Sequence, residues 1–411
     1  MNIFYSFLLG FFIAQSHAAE KLLITVQSDG YPQQNGIVSA DVSELNLDEQ
    51  FSVLLYEKAG HKKIPVSCQI FWTEDKKPQL YWILERNIEA TRTFIAEKIK
   101  RKHQAILPMS IEDTKETLIL KKSDQPILQY NYTHVGPPDG VDPAYGRSGF
   151  IHPVYSPGGN VLTTIQPDDH YHHYGIWNPW TRIEYDGQLY DLWNLGDKRG
   201  TVRAQDIEDT QQGEIFAGYT ARLDHYIFGP EGEQVIMNEQ WTVKAWNITQ
   251  GFLWDFESCL YPATDLPVLI REYRYGGFTW RATEAWTKDN SEMLTSEGKA
   301  RSQIDGSTAR WIYVTGDTKT GRSGLLLLAH PDNFNAPEPL RIWDENANRG
   351  RGDVFVNFAP TKNNDWELKP ENSYRLRYRV LSYEGEMTAE KAEQLWNDFA
   401  HPLQVRVTKT N

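Results

Sequence analysis

The sequence predicts an all-β protein that consists of a small N-terminal β-sandwich, a larger β-supersandwich and one helix near the C-terminus. Short segments rich in β-branched and aromatic residues recur along the 411 residues, and turn residues separate them at intervals of roughly 10 to 15 residues. Aromatic residues make up 13% of the chain, which is typical of strands whose rings pack into sheet cores. Strand-like segments far outnumber helical ones, so a doubly wound α/β fold is disfavoured.

The first residues have the pattern of an export signal. Residues 3–14 form an apolar run, and residues 16–18 provide a small-x-small cleavage pattern. This predicts a signal peptide over residues 1–18, cut after Ala18 or Ala19, and a periplasmic or secreted protein. The apolar run is too short to span a bilayer comfortably, and no later segment is apolar enough to do so, so no membrane span is expected.

The segment from residue 20 to 105 is expected to form the N-terminal sandwich. Turn signals such as Ser28-Asp29-Gly30 and Ala59-Gly60 separate its apolar runs, and the spacing suits an antiparallel sandwich. The candidate strands are 22–27, 51–57, 69–74 and 80–85.

Residues 115–405 are expected to form the larger sandwich. Long candidate strands such as EIFAGYTARLDHYIF and EQVIMNEQWTVKAWN flank a turn at Gly229-Pro230. Near the end, Thr388 is a suitable N-cap for one helix, and His401-Pro402 would end it. The apolar face of this helix follows the i, i+3, i+4, i+7 spacing at Ala392, Leu395, Trp396 and Phe399.

Charge and cysteine content limit the function classes. The net charge of -13 disfavours nucleic acid as a partner, because phosphate binding needs a basic face. Cys68 and Cys259 are the only cysteines. One disulfide is possible in an oxidising compartment, and two isolated buried thiols are equally compatible with the sequence.

The segment from Gly149 to Arg203 concentrates ionisable and aromatic side chains. Its histidines and tryptophans are His152, His170, His172, His173, Trp177, Trp180 and Trp193. In a strand, His170 and His172 would share one face and His173 would take the other. Two such imidazoles suit general acid–base chemistry, with Asp168 or Asp169 fixing a tautomer. They also suit a metal, but the sequence specifies no third ligand, so we expect neither metal nor cofactor.

Other side chains complete a candidate sugar site. Arg199 or Arg147 would hold an acidic substituent of the substrate, since guanidinium forks bind carboxylates and sulfates bidentately. Arg274 lies in an aromatic-rich context. A phenol that acts as general acid could come from any of six tyrosines, namely Tyr145, Tyr155, Tyr171, Tyr174, Tyr273 and Tyr275. Trp177, Trp180 and Trp193 would form a flat platform for sugar rings.

Carboxylates that could instead form a glycoside-hydrolase pair are also present, although nothing in the sequence selects two of them. These are Asp255, Glu257, Glu272, Asp344 and Glu345. A nucleophile elbow, a phosphate-binding P-loop and a dinucleotide fingerprint are all missing from the sequence.

Several segments together resemble the PmoA-like family over roughly residues 115 to 405. They are SGFIHPVYSPGGNVLT, HYHHYGIW, REYRYGGFTWRA, GLLLLAHPDNF and YRLRYRVLSYEG. The family's histidines fall on His152, His170, His172 and His173, and the chain departs from the pattern at Arg274-Tyr275, where an acidic residue is expected. The family name refers to a methane monooxygenase subunit, which is a membrane protein, so methane oxidation and its copper are not expected here.

The resemblance implies an exported bacterial protein encoded with polysaccharide-degradation genes and a sandwich of the galactose-mutarotase type. It further implies removal of water from the terminal sugar of uronic or sulfated oligosaccharides, with a histidine, His172 or His173, as base. The alternatives from the residues themselves are a glycoside hydrolase with a carboxylate pair and a non-catalytic carbohydrate-binding protein.

Overall fold

A computed structural model of the chain describes residues 20–31, 33, 36–73, 75–84, 91–101 and 107–409. The predicted signal peptide, residues 1–18, lies outside the described residues. The described part is an all-β protein with one long helix near its C-terminus, as the sequence predicts.

The N-terminal part contains seven strands and one 3₁₀ turn at Ser43–Leu45. The strands are β1 (Lys21–Gln27), β2 (Gly36–Asp41), β3 (Phe51–Ala59), β4 (Lys62–Val66), β5 (Gln69–Trp72), β6 (Pro78–Leu84) and β7 (Arg92–Lys100).

The next seven strands begin the larger sandwich, and 3₁₀ turns occur at Pro143–Tyr145 and Leu195–Asp197. They are β8 (Met109–Asp113), β9 (Thr117–Lys122), β10 (Gln125–Asn131), β11 (Phe150–Val154), β12 (Ile176–Trp177), β13 (Ile183–Tyr185) and β14 (Gln188–Tyr190).

The remaining strands include the longest in the protein. They are β15 (Gly200–Gln211), β16 (Phe216–Gly229), β17 (Gly232–Trp246), β18 (Phe252–Pro262), β19 (Val268–Ile270), β20 (Thr279–Arg281), β21 (Ser291–Thr295), β22 (Trp311–Thr318), β23 (Gly321–Ala329), β24 (Leu340–Ile342), β25 (Phe355–Phe358), β26 (Trp366–Leu368), β27 (Tyr374–Glu384) and β28 (Gln404–Lys409). The helices are α1 (Arg301–Ile304), α2 (Ala347–Gly350) and α3 (Ala389–Ala400).

The N-terminal sandwich packs a five-stranded sheet, ordered β28-β1-β7-β3-β4, against a three-stranded sheet, ordered β2-β6-β5. Alternate residues of β1 and β6 are buried, as expected for strands with one face on a core. Leu22, Ile24, Trp82 and Phe94 are fully buried in that core.

Strand pairing departs from the predicted ranges at both ends of the larger region. β28 pairs antiparallel with β1, from Leu22–Lys409 to Gln27–Gln404, so the end of the chain joins the N-terminal sandwich. β8 pairs with β9, so the larger sheet begins before residue 115. The sequence does not indicate that β28 pairs with β1 or that β8 pairs with β9, because an alternating pattern predicts a strand and not its neighbour in the sheet.

The larger sandwich consists of two eight-stranded sheets. One is ordered β24-β25-β20-β12-β11-β10-β9-β8 and the other β15-β16-β17-β18-β27-β23-β22-β21. Rings from both sheets meet in the core between them: Tyr130 lies 5.8 Å from Trp241, and Phe278 stacks on Tyr378 at 4.4 Å between ring centroids. A separate four-stranded sheet is ordered β14-β13-β19-β26. Its short strands occur in the chain segments that connect strands of the larger sandwich.

Helix α3 confirms the predicted C-terminal helix. The Thr388 hydroxyl accepts a hydrogen bond from the Lys391 N–H at 3.2 Å, which caps the first turn. Ala392, Leu395 and Trp396 are buried against the larger sandwich. The Trp396 indole N–H donates to the Ala329 carbonyl at 2.9 Å, which fixes the helix on β23.

The two cysteines are not bonded to each other. Cys68 is half-buried beside the N-terminal core, whereas Cys259 is buried in β18 of the larger sandwich. Within the described residues, no helix is long and apolar enough to cross a membrane.

Candidate functional site

The histidine-rich segment folds as two consecutive turns. The His170 N–H donates to the Pro167 carbonyl at 2.8 Å, and the His173 N–H donates to the His170 carbonyl at 3.0 Å. The predicted strand alternation, which placed His173 opposite His170 and His172, is therefore wrong. Turn geometry sends all three rings to one side.

These three residues, called the histidine cluster from here on, contact one another directly. Ring centroids are 4.6 Å apart for His170 and His173, 4.8 Å for His172 and His173, and 5.4 Å for His170 and His172. One ring nitrogen from each lies within 4.8 Å of the other two. Three imidazole nitrogens so close together can share a proton or hold a metal ion.

The sheet below fixes the position of the cluster. Side chains of Trp177 and Phe355 point to the face that is turned away from the main core, whereas their neighbours Ile176 and Val356 point into it, because alternate strand residues face opposite sides. His173 packs on Phe355 and Trp177 at 5.2 and 5.4 Å between ring centroids. The cluster therefore rests on a rigid aromatic floor on the outer face of the sheet.

A cavity of about 180 Å³ opens beside the histidine cluster. Segments that are far apart in the chain supply its other walls. In addition to the three histidines, the lining residues are Thr181, Trp193, Asn194, Tyr273, Arg274, Tyr275 and Trp343. No Asp or Glu is among them, so the wall provides imidazoles, indoles, phenols, amides and one guanidinium.

A chain of ion pairs, from Arg281 through Asp169, positions His170. The Asp169 carboxylate is 2.7 Å from His170 Nδ1 and 3.2 Å from Arg281 Nη2. Arg281 is 1% exposed, also binds Asp353 at 2.9 Å, and lies 4.5 Å over the Trp343 ring. Burial raises the pKa of Asp169, but the hydrogen bond with His170 and the charge of Arg281 outweigh it and hold that pKa below its ordinary value. The carboxylate stays ionised and orients the His170 ring.

Burial keeps the other two imidazoles uncharged. It lowers the pKa of His172 to about 4 and that of His173 well below its ordinary value, and the neighbouring histidines add to both shifts. At neutral pH these rings are neutral, with lone pairs available to a proton or a metal ion.

Tyr275, which also lines the cavity, accepts two hydrogen bonds. Arg341 Nη2 donates to its oxygen at 3.0 Å, and the Trp343 indole N–H donates at 3.3 Å. The phenolic O–H remains able to donate. The Arg274 guanidinium lies 5.2 Å from the Tyr275 ring centroid, so a cation adjoins this phenol.

Seven of the residues considered from sequence line this cavity, namely His170, His172, His173, Trp193, Tyr273, Arg274 and Tyr275. The other two tryptophans of the predicted platform do not. Trp180 is fully buried in the main core against Trp366, and Trp177 is fully buried beneath His173. A sugar ring cannot stack on either, because protein atoms already cover their faces.

Two predicted arginines are also placed elsewhere. Arg147 is 1% exposed, and none of its guanidinium nitrogens has a hydrogen-bond partner. Arg199 is exposed, donates to the Leu189 carbonyl at 2.7 Å and covers the Tyr190 ring. Neither is among the cavity-lining residues, and the one arginine that is among them is Arg274.

The remaining predicted residues lie around the cavity and do not line it. His152 Nδ1 is 2.8 Å from the Thr163 hydroxyl, and burial lowers the pKa of His152 to about 4. Tyr145 packs on Tyr171 at 5.7 Å between ring centroids. Asp168 is exposed in the turn.

The carboxylates considered for glycoside hydrolysis are outside the cavity as well. Asp255 is bonded to Arg379 at 2.6 Å, and Glu257 lies 3.3 Å from Arg375, both on the other eight-stranded sheet. Glu272, Asp344 and Glu345 are not among the lining residues.

Sequence reasoning missed Trp343, Asn194 and Thr181. Trp343 follows β24 and reaches the cavity only because β24, β25, β20 and β12 are neighbours in one sheet. Arg281, which holds Asp169, lies in an aromatic-rich segment as several other arginines do. No local pattern distinguishes these residues from packing residues.

The fold and the site define an all-β protein with a histidine-bearing cavity on the outer face of its larger sandwich. Residues 117–397 match DUF6807, which is described as a family of unknown function, and the chain belongs to this family. No curated protein matches the sequence. Among solved structures, the chain is similar to a galactose mutarotase related enzyme from Lactobacillus acidophilus, at 9% identity over 67% of this chain and 97% of that one, with a TM-score of 0.34. A TM-score this low supports no inference about fold or function.

Proposed function

We propose that the protein is a carbohydrate-active enzyme, specifically a carbon–oxygen lyase that removes water from the terminal sugar of uronic or sulfated oligosaccharides. The observation that carries this proposal is the cavity, where uncharged imidazoles face a wall with one guanidinium and one hydrogen-bonded phenol. Membership of the PmoA-like family, which the sequence segments suggest, forms part of the proposal.

The size and lining of the cavity support a single sugar ring as ligand. Its volume of about 180 Å³ is below the 300–1,000 Å³ that is usual for drug-sized ligands, so one ring fits better than a chain. Trp193 and Trp343 are 3% and 6% exposed, so each indole offers a small apolar part of the lining to the C–H side of a sugar. Asn194 and Thr181 offer hydrogen bonds to its hydroxyl groups. A terminal residue could enter while the rest of the oligosaccharide stays outside.

The proposed reaction is an elimination of water that forms a C=C bond in the sugar. A base at the histidine cluster takes the proton from the ring carbon next to the carboxylate, and the electron pair of that C–H bond forms a C=C bond. The C–O bond on the neighbouring carbon breaks, and the Tyr275 phenol protonates the hydroxyl, which leaves as water. The proton at the histidine cluster returns to the phenolate through solvent.

Arg274 would neutralise the carboxylate on which negative charge develops as the proton leaves. Fixed positive charge aimed at such a group is among the largest contributions to catalysis. Guanidinium also binds carboxylate and sulfate in a bidentate manner. The charge of Arg274 is therefore what selects an acidic sugar.

Export belongs to the same proposal. The apolar run and cleavage pattern of residues 1–18 support secretion to the periplasm or beyond. Fragments of extracellular polysaccharides would be available there.

The test is incubation of the mature protein with saturated and unsaturated uronic and sulfated oligosaccharides, followed by mass spectrometry. We expect a product lighter than the substrate by one water. Cleavage without this species would establish a glycoside hydrolase, and calorimetric binding without any product would establish a carbohydrate-binding protein. Either result overturns the proposal.

A pair of arginine variants tests the assignment within the site. Arg274→Gln should lower kcat/KM on an acidic oligosaccharide about 10- to 100-fold, the effect of losing a charged hydrogen bond. Arg199→Gln should leave kcat/KM unchanged, because Arg199 is exposed and outside the cavity. The opposite ranking of the two variants would reject the assignment.

A further inference from the structure

We infer that the histidine cluster binds one divalent transition-metal ion of the zinc type, with an open coordination position directed at the cavity. Metal binding follows from the geometry of the cluster alone. The role given below to the bound ion, as the source of the base, rests on the proposed function.

The first argument is the convergence of three nitrogen ligands. Zinc–imidazole bonds of about 2.0–2.1 Å in tetrahedral geometry place ligand nitrogens roughly 3.3 Å apart. In the histidine cluster the three nitrogens lie within 4.8 Å of one another. Binding would require the His170 and His173 rings, which stack at 17° between their planes, to turn toward a shared ion, while the hydrogen-bonded turns keep the backbone in place.

The second argument is a buried polar atom without a partner. His173 is 2% exposed, and its Nδ1 is buried with no hydrogen-bond partner. A buried polar nitrogen normally has a partner, because leaving it without one costs free energy. His173 Nδ1 therefore has a lone pair or N–H that no protein atom uses.

The third argument is the carboxylate behind His170. Asp169 engages Nδ1 at 2.7 Å, which leaves Nε2 as the free nitrogen of that ring. Arg281 holds Asp169 in turn, and Asp353 binds the same guanidinium. A carboxylate on the far nitrogen of a ligating histidine is the usual outer support of a metal site, since it fixes the tautomer and the ring orientation.

The donor set also selects the class of metal. Imidazole suits zinc, copper, iron and nickel, whereas calcium and magnesium prefer oxygen ligands. The cavity wall contributes no carboxylate. Within the described part of the chain, no other group of three or more His, Cys, Asp or Glu side chains converges in this way.

Three protein ligands and a free position are the arrangement of catalytic zinc sites. Such an ion lowers the pKa of its bound water to about 7, so that hydroxide forms at neutral pH. In the proposed elimination, this metal-bound hydroxide would take the sugar proton and become water. The three imidazoles would then act as ligands, and Tyr275 and Arg274 would act from the same cavity lining.

The experiment measures metal without any sugar. The mature full-length protein, purified without a polyhistidine tag, is stripped with a chelator, and Zn²⁺ is added back. We expect one zinc per chain by elemental analysis and a thermal midpoint that rises with zinc concentration, because a ligand that binds only the folded state stabilises it. A folded protein that takes up no zinc overturns the inference.

Matched variants identify the ligands. His172→Ala should abolish zinc uptake, whereas His152→Ala, which removes a buried histidine outside the cluster, should keep it. Asp169→Asn should weaken zinc affinity about 10- to 100-fold, and Asp168→Asn should not change it. Uptake that survives His172→Ala in a folded protein overturns the inference.

A spectrum of the wild type covers the case in which His172→Ala does not fold. Co²⁺ added to the stripped wild type should give the visible absorption of a tetrahedral nitrogen site, and an octahedral spectrum contradicts the inference. Loss of metal binding and loss of dehydration are distinguishable. A protein that binds zinc but releases no water from sugars overturns only the proposed function, and one that dehydrates sugars in excess chelator overturns the metal's role.

Discussion

The tryptophans near the histidine cluster look equivalent in the sequence, but they have different positions in the structure. Trp180 is a core residue of the larger sandwich, Trp177 supports His173 from below, and Trp193 lines the cavity. Trp343, far along the chain, lines it as well. Residue type and local density of rings therefore indicated the region of the site without indicating which rings a ligand can touch.

The arginines show the same dependence on position. Arg147 is sealed in the interior, Arg199 covers a surface tyrosine, and Arg281 holds Asp169. Only Arg274 among the predicted arginines faces the cavity. The charge that a substrate would meet is set by which guanidinium is exposed on that wall.

Glu338 gives a prediction for the pH dependence of stability. It is fully buried and accepts hydrogen bonds from Asn333 Nδ2 at 2.7 Å and the Tyr378 O–H at 2.9 Å. Burial raises the pKa of Glu338 to about 8 against the partly compensating hydrogen bonds. The folded state therefore holds a proton that the unfolded state loses near its ordinary pKa of 4.5. This contribution to stability is complete below pH 4.5 and is lost as the pH rises toward 8.

Glu338→Gln should remove that pH dependence. In the wild type, this group alone lowers the free energy of unfolding by up to about 1.4 kcal/mol per pH unit over the interval. Denaturant unfolding at pH 5, 6, 7 and 8, read as the difference between variant and wild type, measures the term. A difference that stays constant with pH would show that Glu338 is ionised in the folded protein.

Helix α3 and the histidine segment show when the local sequence pattern is sufficient to predict secondary structure. Helix α3 has its N-cap, its apolar stripe and its end signal in one continuous segment from Thr388 to Pro402, and it forms as predicted. The histidine segment has a strand-like composition but folds as turns, because its backbone hydrogen bonds are made to Pro167 and within the segment itself. A helix satisfies its own backbone, whereas a short strand needs a partner from elsewhere in the chain.

The N-cap of α3 gives a prediction at the level of the element. Thr388→Ala removes the hydroxyl that accepts from the Lys391 N–H and should lower the free energy of unfolding by about 0.5–2 kcal/mol. Thr388→Ser keeps the acceptor and should cost much less. Chemical denaturation followed by tryptophan fluorescence measures both, and equal losses in the two variants would show that the hydroxyl does not contribute.

Over the whole molecule, the first and the last described strands, β1 and β28, pair with each other. β28 forms the edge of the five-stranded sheet next to β1, with Val405 and Val407 packed on the N-terminal core. The N-terminal sandwich is therefore completed only after the larger sandwich and α3 have been traversed. An uncovered β1 would be an open sheet edge, which favours association with other chains.

Truncation tests this closure. Removal of residues 404–411 should expose the β1 edge and speed hydrogen exchange of the Lys21–Gln27 amides at least about tenfold, equivalent to about 1.4 kcal/mol. Deletion of residues 410–411 alone keeps β28 and serves as the control. Unchanged exchange in β1 after the longer truncation would show that β28 adds nothing to the sheet.

The sequence by itself determined the all-β class, the capped C-terminal helix and the region of the chain that contains the histidine cluster. These features depend on residue periodicity, on caps and on composition, which act between near neighbours. The tertiary structure alone decided the direction of the three histidine rings, the arrival of Trp343 and Tyr275, the burial of Trp180 and Arg147 and the pairing of β28 with β1. Each of these requires contacts between residues that are distant in the chain. Strand pairing brings those residues together, and the sequence of one segment alone does not specify its partner strand.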